Sequence, residues 1–214
     1  MARAVPSVRG AGFGPLLTTP HAADTQIWIE AIRSVCYPSV YMDIGAGDGF
    51  DCGLVKDAFP SARCIAIEPV EIWDVDDRVE KHRDVISFED DDRVFHVKKQ
   101  AGIHGLYSRV SECDDHILAL PVRTLRHFCE REQIPAIDAM KIDVEGAAWD
   151  VLVGAGDLLS DVKAIHIETE WLPLFKDQHH EDAVFRILRS YGFTKTWENR
   201  IEALGQGDSI WLRR

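Results

Sequence analysis

Short apolar runs alternate along this chain with stretches of helical period. The runs Val40–Ile44, Ala62–Ile67, Arg93–Val97, Ala136–Ile142 and Val162–Glu168 read as strands. Between them, Trp28, Ile32 and Val35 share one helical face, as do Leu125, Phe128 and Cys129, and then Trp149, Leu152 and Val153; each stripe predicts a helix packed on a core. Val184, Ile187, Leu188 and Tyr191 repeat at helical spacing, and Gly192 follows as a suitable helix stop. Phe193–Glu198 and Ser209–Leu212 predict two strands joined across Gly205 and Gly207, an antiparallel hairpin on a sheet edge. Alternating strands and helices imply an α/β fold, a mainly parallel sheet covered by helices. The stretch Trp73–Arg93, rich in acids and weak in period, reads as a solvated surface excursion.

Composition bounds this picture. At 214 residues and 46% hydrophobic, the chain has room for one domain: an N-terminal arm and first helix over 1–38, then the domain body over 39–214. Its 24 lysines and arginines face 36 acids, a net charge of −12, so a nucleic-acid partner would meet repulsion. Cys36, Cys52, Cys64, Cys113 and Cys129 are odd in number and form no C-x-x-C pair, the usage of reduced thiols in the cytoplasm. The first twenty residues are broken by glycine and proline and lack the apolar centre of a signal peptide, and no run reaches membrane-spanning length. A soluble protein with no membrane partner is expected.

The segment DIGAGDGF, from Asp43 to Phe50, carries the first chemistry. A dinucleotide fingerprint would place its third glycine at Phe50, and no Gly-Lys pair exists to make a P-loop. Asp43 and Asp48 bracket the loop and would repel a pyrophosphate. S-adenosylmethionine, with a sulfonium and an ammonium and no phosphate, suits an acidic glycine loop better. Asp48 alternatively caps the following helix. Nineteen residues after Gly49, CIAIEP places Glu68 at the end of the next strand, where an acid can accept hydrogen bonds from both ribose hydroxyls; a plain surface-loop acid is the alternative.

Farther along come AIDAMKIDVEGAAWDVLVGAGDLL and VKAIHIETEW. With DIGAGDG, AIEP and KIDVEGAAWDVLVGA in order, the chain from about Ser39 to Trp171 resembles the FkbM-type methyltransferases, departing from their pattern at Ala148. The resemblance implies a Rossmann-like class I methyltransferase fold and methyl transfer from S-adenosylmethionine to a hydroxyl of a small molecule, such as a sugar, polyketide or other natural product. It also implies that Asp43, Gly45, Gly47 and Gly49 surround the methionine part of the cofactor while Glu68 holds its ribose. Trp73–Val110 departs from the family pattern, and adenine contacts near Gln100–Ala101 are left open.

Asp143 is the candidate to face the methyl group, with Lys141 pairing it or lowering the pKa of an acceptor hydroxyl. Glu145 is expected to open the next helix. Glu168 and Glu170 end the neighbouring strand, and Asp143, Glu168 and Glu170 together would suit Mg²⁺, with ordinary base or solvent-facing roles as the favoured alternative. His104, between glycines, is a candidate catalytic base. His179-His180 precedes an acidic helix start and does not suggest zinc, and Trp171 either lines the acceptor pocket or belongs to the core. Two other readings are a non-catalytic methyltransferase-like binding module and a nicotinamide-dependent oxidoreductase, the latter disfavoured by Phe50 and Asp48.

Overall fold

The computed structural model of the protein describes residues 20–70, 76–98, 104–110 and 116–214. The N-terminal arm expected before the first helix therefore lies outside the described residues up to position 19, as do Gln100, Ala101 and Cys113. Its first half holds α1 (Pro20–Val35), β1 (Val40–Ile44), α2 (Phe50–Ala58), β2 (Arg63–Ile67), β3 (Glu80–His82), β4 (Val85–Ser87), β5 (Asp91–Val97) and β6 (His116–Thr124). There follow α3 (Leu125–Arg131), β7 (Ala139–Ile142), α4 (Ala148–Ala155), β8 (Ala164–Glu170), α5 (Glu181–Ser190), β9 (Thr194–Ile201) and β10 (Gln206–Leu212).

One seven-stranded sheet runs in the order β3-β2-β1-β7-β8-β10-β9, and β4, β6 and β5 form a small second sheet. The pairs β2–β3, β1–β2, β1–β7 and β7–β8 are parallel, while β10 is antiparallel to both β8 and β9. The expected Rossmann-like α/β sheet with its C-terminal hairpin is therefore present. Alternation along each strand divides the core between two faces. Met42, Ile44, Ile65, Ile67, Met140, Ile142, Ile165 and Ile167 pack under α3, α4 and α5. On the other face Ala66, Ala139 and Ala164 are small, and the space they leave is taken by Trp28 of α1 and by Val55 and Phe59 at the end of α2.

Three expectations need correction. The stretch 73–93 is not simply a surface excursion: it contains β3 and β4, and Val79, Val85 and Ile86 are buried. Its acids mask strands only three residues long, and Asp84 among them is matched by Arg123 at 2.8 Å and Arg131 at 2.7 Å. In α4 the buried stripe is Ala148, Val151, Leu152 and Ala155, one position out of phase with the predicted one, and Val153 is exposed. The hairpin turns at Gly205 (φ 72°), whereas Gly207 lies inside β10. Among the described residues, no helix is long and apolar enough to cross a membrane, and Cys36, Cys52, Cys64 and Cys129 are free thiols.

Candidate active site

The carboxyl ends of β1, β2 and β7 open onto a cavity of about 340 Å³. This is where an open parallel sheet leaves a crevice between strands whose connections leave in opposite directions. Its floor is the glycine loop. Gly45, Gly47 and Gly49 all have φ between 53° and 80°, which L side chains rarely adopt. Gly45 and Ala46 donate their N–H groups to the Ile67 carbonyl at 2.9 and 3.1 Å. A Cβ on Gly45 would lie 1.7 Å from the Asp143 carbonyl oxygen, so only glycine lets the loop pass between β2 and β7. A Cβ on Gly47 would meet nothing within 4 Å. Gly47 lines the cavity, so that free space is room for a ligand beside bare backbone.

Glu68 lines the same cavity and is largely buried. Its two carboxylate oxygens accept from the N–H groups of Gly47 (3.3 Å) and Val70 (2.9 Å), so the acid ties the glycine loop to the end of β2. Each oxygen has a second lone pair for a further donor. Asp48 also lines the cavity, and its Oδ1 accepts from Phe50 N–H at 3.0 Å, but the N-cap of α2 is the next residue, Gly49. Asp43 is not on the cavity wall. It is fully buried one layer below, beside its register partner Lys141 on β7. Gly49 is likewise off the wall, at the N-cap of α2.

Across the cavity stands a different assembly. Lys141 Nζ lies 3.0 Å from Asp51 and 3.1 Å from Asp143. Burial works against its charge, but the fields of Asp143, Asp43 and Asp51 together hold its pKa well above the ordinary lysine value. It is thus a fixed counterion rather than a group that titrates. Glu145 does not open α4, which begins three residues later; it sits in a turn at φ 50° and accepts from Arg109 at 2.8 Å. The Arg109 guanidinium lies over the Phe175 ring, and that ring fills the space a side chain at Gly146 would need.

On β8, Glu168 Oε1 accepts from Gln206 at 2.7 Å, while Oε2 is buried and has no hydrogen-bond partner among the described residues. Burial first, then Asp143, Glu145, Glu170 and Asp208, push its pKa well above the usual carboxylate range. Glu170 is almost wholly buried and accepts from Gly146 N–H at 3.1 Å, supporting the 145–146 turn from below. Burial and then the charge of Glu145 push its pKa up to about 8, against the pull of that N–H. The carboxylates that converge are not Asp143, Glu168 and Glu170 as the strand alternation suggested. They are Asp143, Glu145 and Glu168, each placing one oxygen within 4.8 Å of the others. The left-handed turn at Glu145, invisible to a strand pattern, makes the exchange.

His104 lines the cavity. Its Nδ1 accepts from Lys98 N–H at 2.9 Å, which places the proton of the neutral ring on Nε2 and makes that nitrogen a donor. Trp171 is half-buried beneath the Arg200 guanidinium and is not on the cavity wall. His179 stacks on Trp149 at 3.9 Å and belongs to no metal-like grouping among the described residues. Sequence reading missed Arg109, Asp51 and an apolar wall of Val85, Ile86, Phe95 and Leu106. None belongs to a motif; β4 and β5 of the second sheet bring Val85, Ile86 and Phe95 to the cavity, and the segment 104–110 brings Leu106.

The profile of the methyltransferase FkbM domain matches residues 43–195. That is well over half of the chain, and the chain belongs to this family of S-adenosylmethionine-dependent methyltransferases, with their class I fold. No curated protein matches it. Among solved structures, the magnesium protoporphyrin IX methyltransferase of Synechocystis with bound SAM is similar at 11% identity and a TM-score of 0.47, over 95% of this chain and 87% of that one. The precorrin-6y C5,15-methyltransferase of Geobacter metallireducens is similar at 11% identity and 0.47, over 95% and 94%. The N-terminal domain of EvdMO1, in the presence of SAH and D-fucose, is similar at 12% identity and 0.46, over 98% and 91%.

Proposed function

We propose that this member of the FkbM methyltransferase family transfers the methyl group of S-adenosylmethionine to a hydroxyl of a small molecule, such as a sugar, polyketide or other natural product. The observation that carries the cofactor assignment is the charge of the cavity wall. Asp48, Asp51, Glu68, Asp84, Asp143 and Glu145 line it, against Lys141 as the one lysine or arginine on the wall among the described residues. A pyrophosphate would find almost nothing to pair with there, whereas a sulfonium and an ammonium are attracted. Gly45, Gly47 and Asp48 would cradle the methionine portion and Glu68 the ribose. Asp43 and Gly49 act at one remove, through Lys141 and α2. The apolar wall of Val85, Ile86, Phe95 and Leu106 suits the flat face of the adenine.

The reaction is an in-line displacement: the acceptor oxygen forms its bond to the methyl carbon as the carbon–sulfur bond breaks, and the hydroxyl proton leaves. Fixing the two reactants at attack geometry can remove roughly 7–11 kcal/mol of barrier, and a positioned base adds about 10²–10⁴-fold. Asp143 is the residue for the second task, since Lys141 is locked as its counterion and His104 offers a donor. His104 would orient a ligand oxygen or nitrogen. The Mg²⁺ raised as a second cofactor would bind the acceptor oxygen, not the sulfonium. The acidic surface and reduced thiols favour a free cytoplasmic small molecule over nucleic acid or a membrane as partner.

Calorimetry with S-adenosylmethionine and with NAD tests this reading. Heat with the first and none with the second is expected; the reverse overturns it. Cofactor binding with no methyl transfer to any of a panel of hydroxylated acceptors favours the binding module instead.

A further inference from the structure

We infer that Thr25, on the helix α1 that precedes the family-matched segment 43–195, is a positioning residue of the cavity: its hydroxyl fixes Asp51 on the wall and, through it, the Lys141–Asp143 pair. What this row does for the cofactor rests on the methyltransferase reading; that the row exists rests on geometry. Thr25, Trp28, Ile29 and Ile32 are all buried and fall at the spacing of one helix face. The last three belong to the core that α1 shares with Tyr41, Val55 and Phe59. Thr25 is the polar member of the stripe, and a valine of similar shape would fill its space if packing were its whole task. Its hydroxyl instead donates to Asp51 Oδ1 at 2.5 Å, joining two buried side chains 26 residues apart.

Asp51 divides its carboxylate between two elements. Oδ1 accepts from Thr25, and Oδ2 lies 3.0 Å from Lys141 Nζ, which also donates to Asp143 Oδ2 at 3.1 Å. Lys141 stands in the fields of Asp143, Asp43 and Asp51, so the direction in which its N–H groups point depends on where each acid is held. Asp51 sits in the first turn of α2, where the helix dipole favours its charge but does not fix where its oxygens point. The α1 hydroxyl supplies that restraint. With it, Lys141 keeps one N–H for Asp51 and one for Asp143, and the proposed base is held by a fixed donor. Without it, the Asp51 carboxylate is free to turn both oxygens to the lysine or into the cavity, which changes the charge that a bound cofactor meets and the orientation of Asp143 together.

The test is calorimetry of S-adenosylmethionine with the full-length wild type, Thr25→Val, Thr25→Ser, Asp51→Ala and the Thr25→Val/Asp51→Ala double variant. Beside it, nuclear magnetic resonance of ¹⁵N-labelled lysine in the same ligand-free proteins follows the Lys141 ammonium, assigned by its absence from Lys141→Arg. Thr25→Val should bind at least about fivefold more weakly and displace the Lys141 signal, while Thr25→Ser, which keeps the hydroxyl, restores both. In the Asp51→Ala background, Thr25→Val should add nothing, because the hydroxyl acts through that acid. Ile29→Val thins the same face of α1 without touching the hydroxyl and should change neither reading. Should Thr25→Val not fold, Thr25→Ala removes the hydroxyl in its place. Wild-type affinity or an unmoved lysine signal in the hydroxyl-free variant overturns the inference. So does a full additive loss in the double variant, a failure of serine to restore, or an equal loss in Ile29→Val, which would leave Thr25 as packing alone. A wild type that takes up no S-adenosylmethionine overturns the methyltransferase reading instead, and the Lys141 signal then decides the row by itself.

Discussion

The two ends of one cavity are built on opposite principles. At the glycine-loop end, two acids on the wall are met by backbone: Glu68 takes the N–H groups of Gly47 and Val70, and Asp48 that of Phe50. At the acceptor end, carboxylates from three chain segments crowd together, and the pKa values of Glu168 and Glu170 rise because burial and neighbouring acids disfavour their charge. The first end is finished before any ligand arrives. At the second, Lys141 pairs with Asp51 and Asp143, and Arg109 with Glu145, among the described residues. One end offers a ligand fixed backbone geometry, while the other offers side chains whose burial and neighbouring acids raise their pKa values.

The largest expected effect lies at the acceptor end. Lys141→Met should cost about 3–5 kcal/mol of stability near neutral pH, because it strands Asp51, Asp143 and buried Asp43 without their counterion. Urea unfolding checks it, and a loss below about 1 kcal/mol would mean that these acids need no such partner.

Next comes a pH dependence. Glu170 has a folded pKa of about 8 against an ordinary 4.5, so the folded state binds its proton more tightly than the unfolded chain. The resulting stabilisation is complete below about pH 4.5 and is lost as pH rises through 8. Glu170→Gln keeps an acceptor for Gly146 N–H and should remove a few kcal/mol of that decline in chelator-treated protein. Parallel stability–pH curves for variant and wild type would contradict the crowding described for this end.

At the glycine-loop end, two alanines separate packing from conformation. Gly45→Ala should lose cofactor binding and cost roughly 1–3 kcal/mol more stability than Gly47→Ala, since its Cβ meets the Asp143 carbonyl while the other meets open space. Gly47→Ala carries the strain of a positive φ, roughly 1–2 kcal/mol. Equal losses would show that the loop is not wedged against β7. The smallest effect is Glu68→Gln, whose amide oxygen can accept only one of the two N–H groups while its NH₂ faces the other, and which weakens hydrogen bonds from ribose hydroxyls. Cofactor affinity measured by calorimetry should fall about tenfold, or about 1.4 kcal/mol; an unchanged value would remove Glu68 from the ribose.

The glycine loop and the strand-end acid were legible in the chain because their chemistry is local. Three glycines within five residues after a β-branched run specify a turn, and CIAIEP specifies an acid at the end of the next strand. Strand parity along β1, β2, β7 and β8 was readable for the same reason, since alternate residues must face different cores. The short strands β3 and β4 were not, because three residues give periodicity too little length and their acids resemble solvated loop. Sequence by itself thus determined the Rossmann-like sheet, the glycine cradle, Glu68 and the presence of carboxylates at the ends of β7 and β8. Only the tertiary structure decided that Asp43 is a buried partner of Lys141, that His104 presents a donor, and that Glu145 rather than Glu170 joins Asp143 and Glu168. The physical reason is that a left-handed turn at one residue, an N–H arriving from another segment and a charge on a neighbouring strand act through space, and spacing along the chain does not encode them.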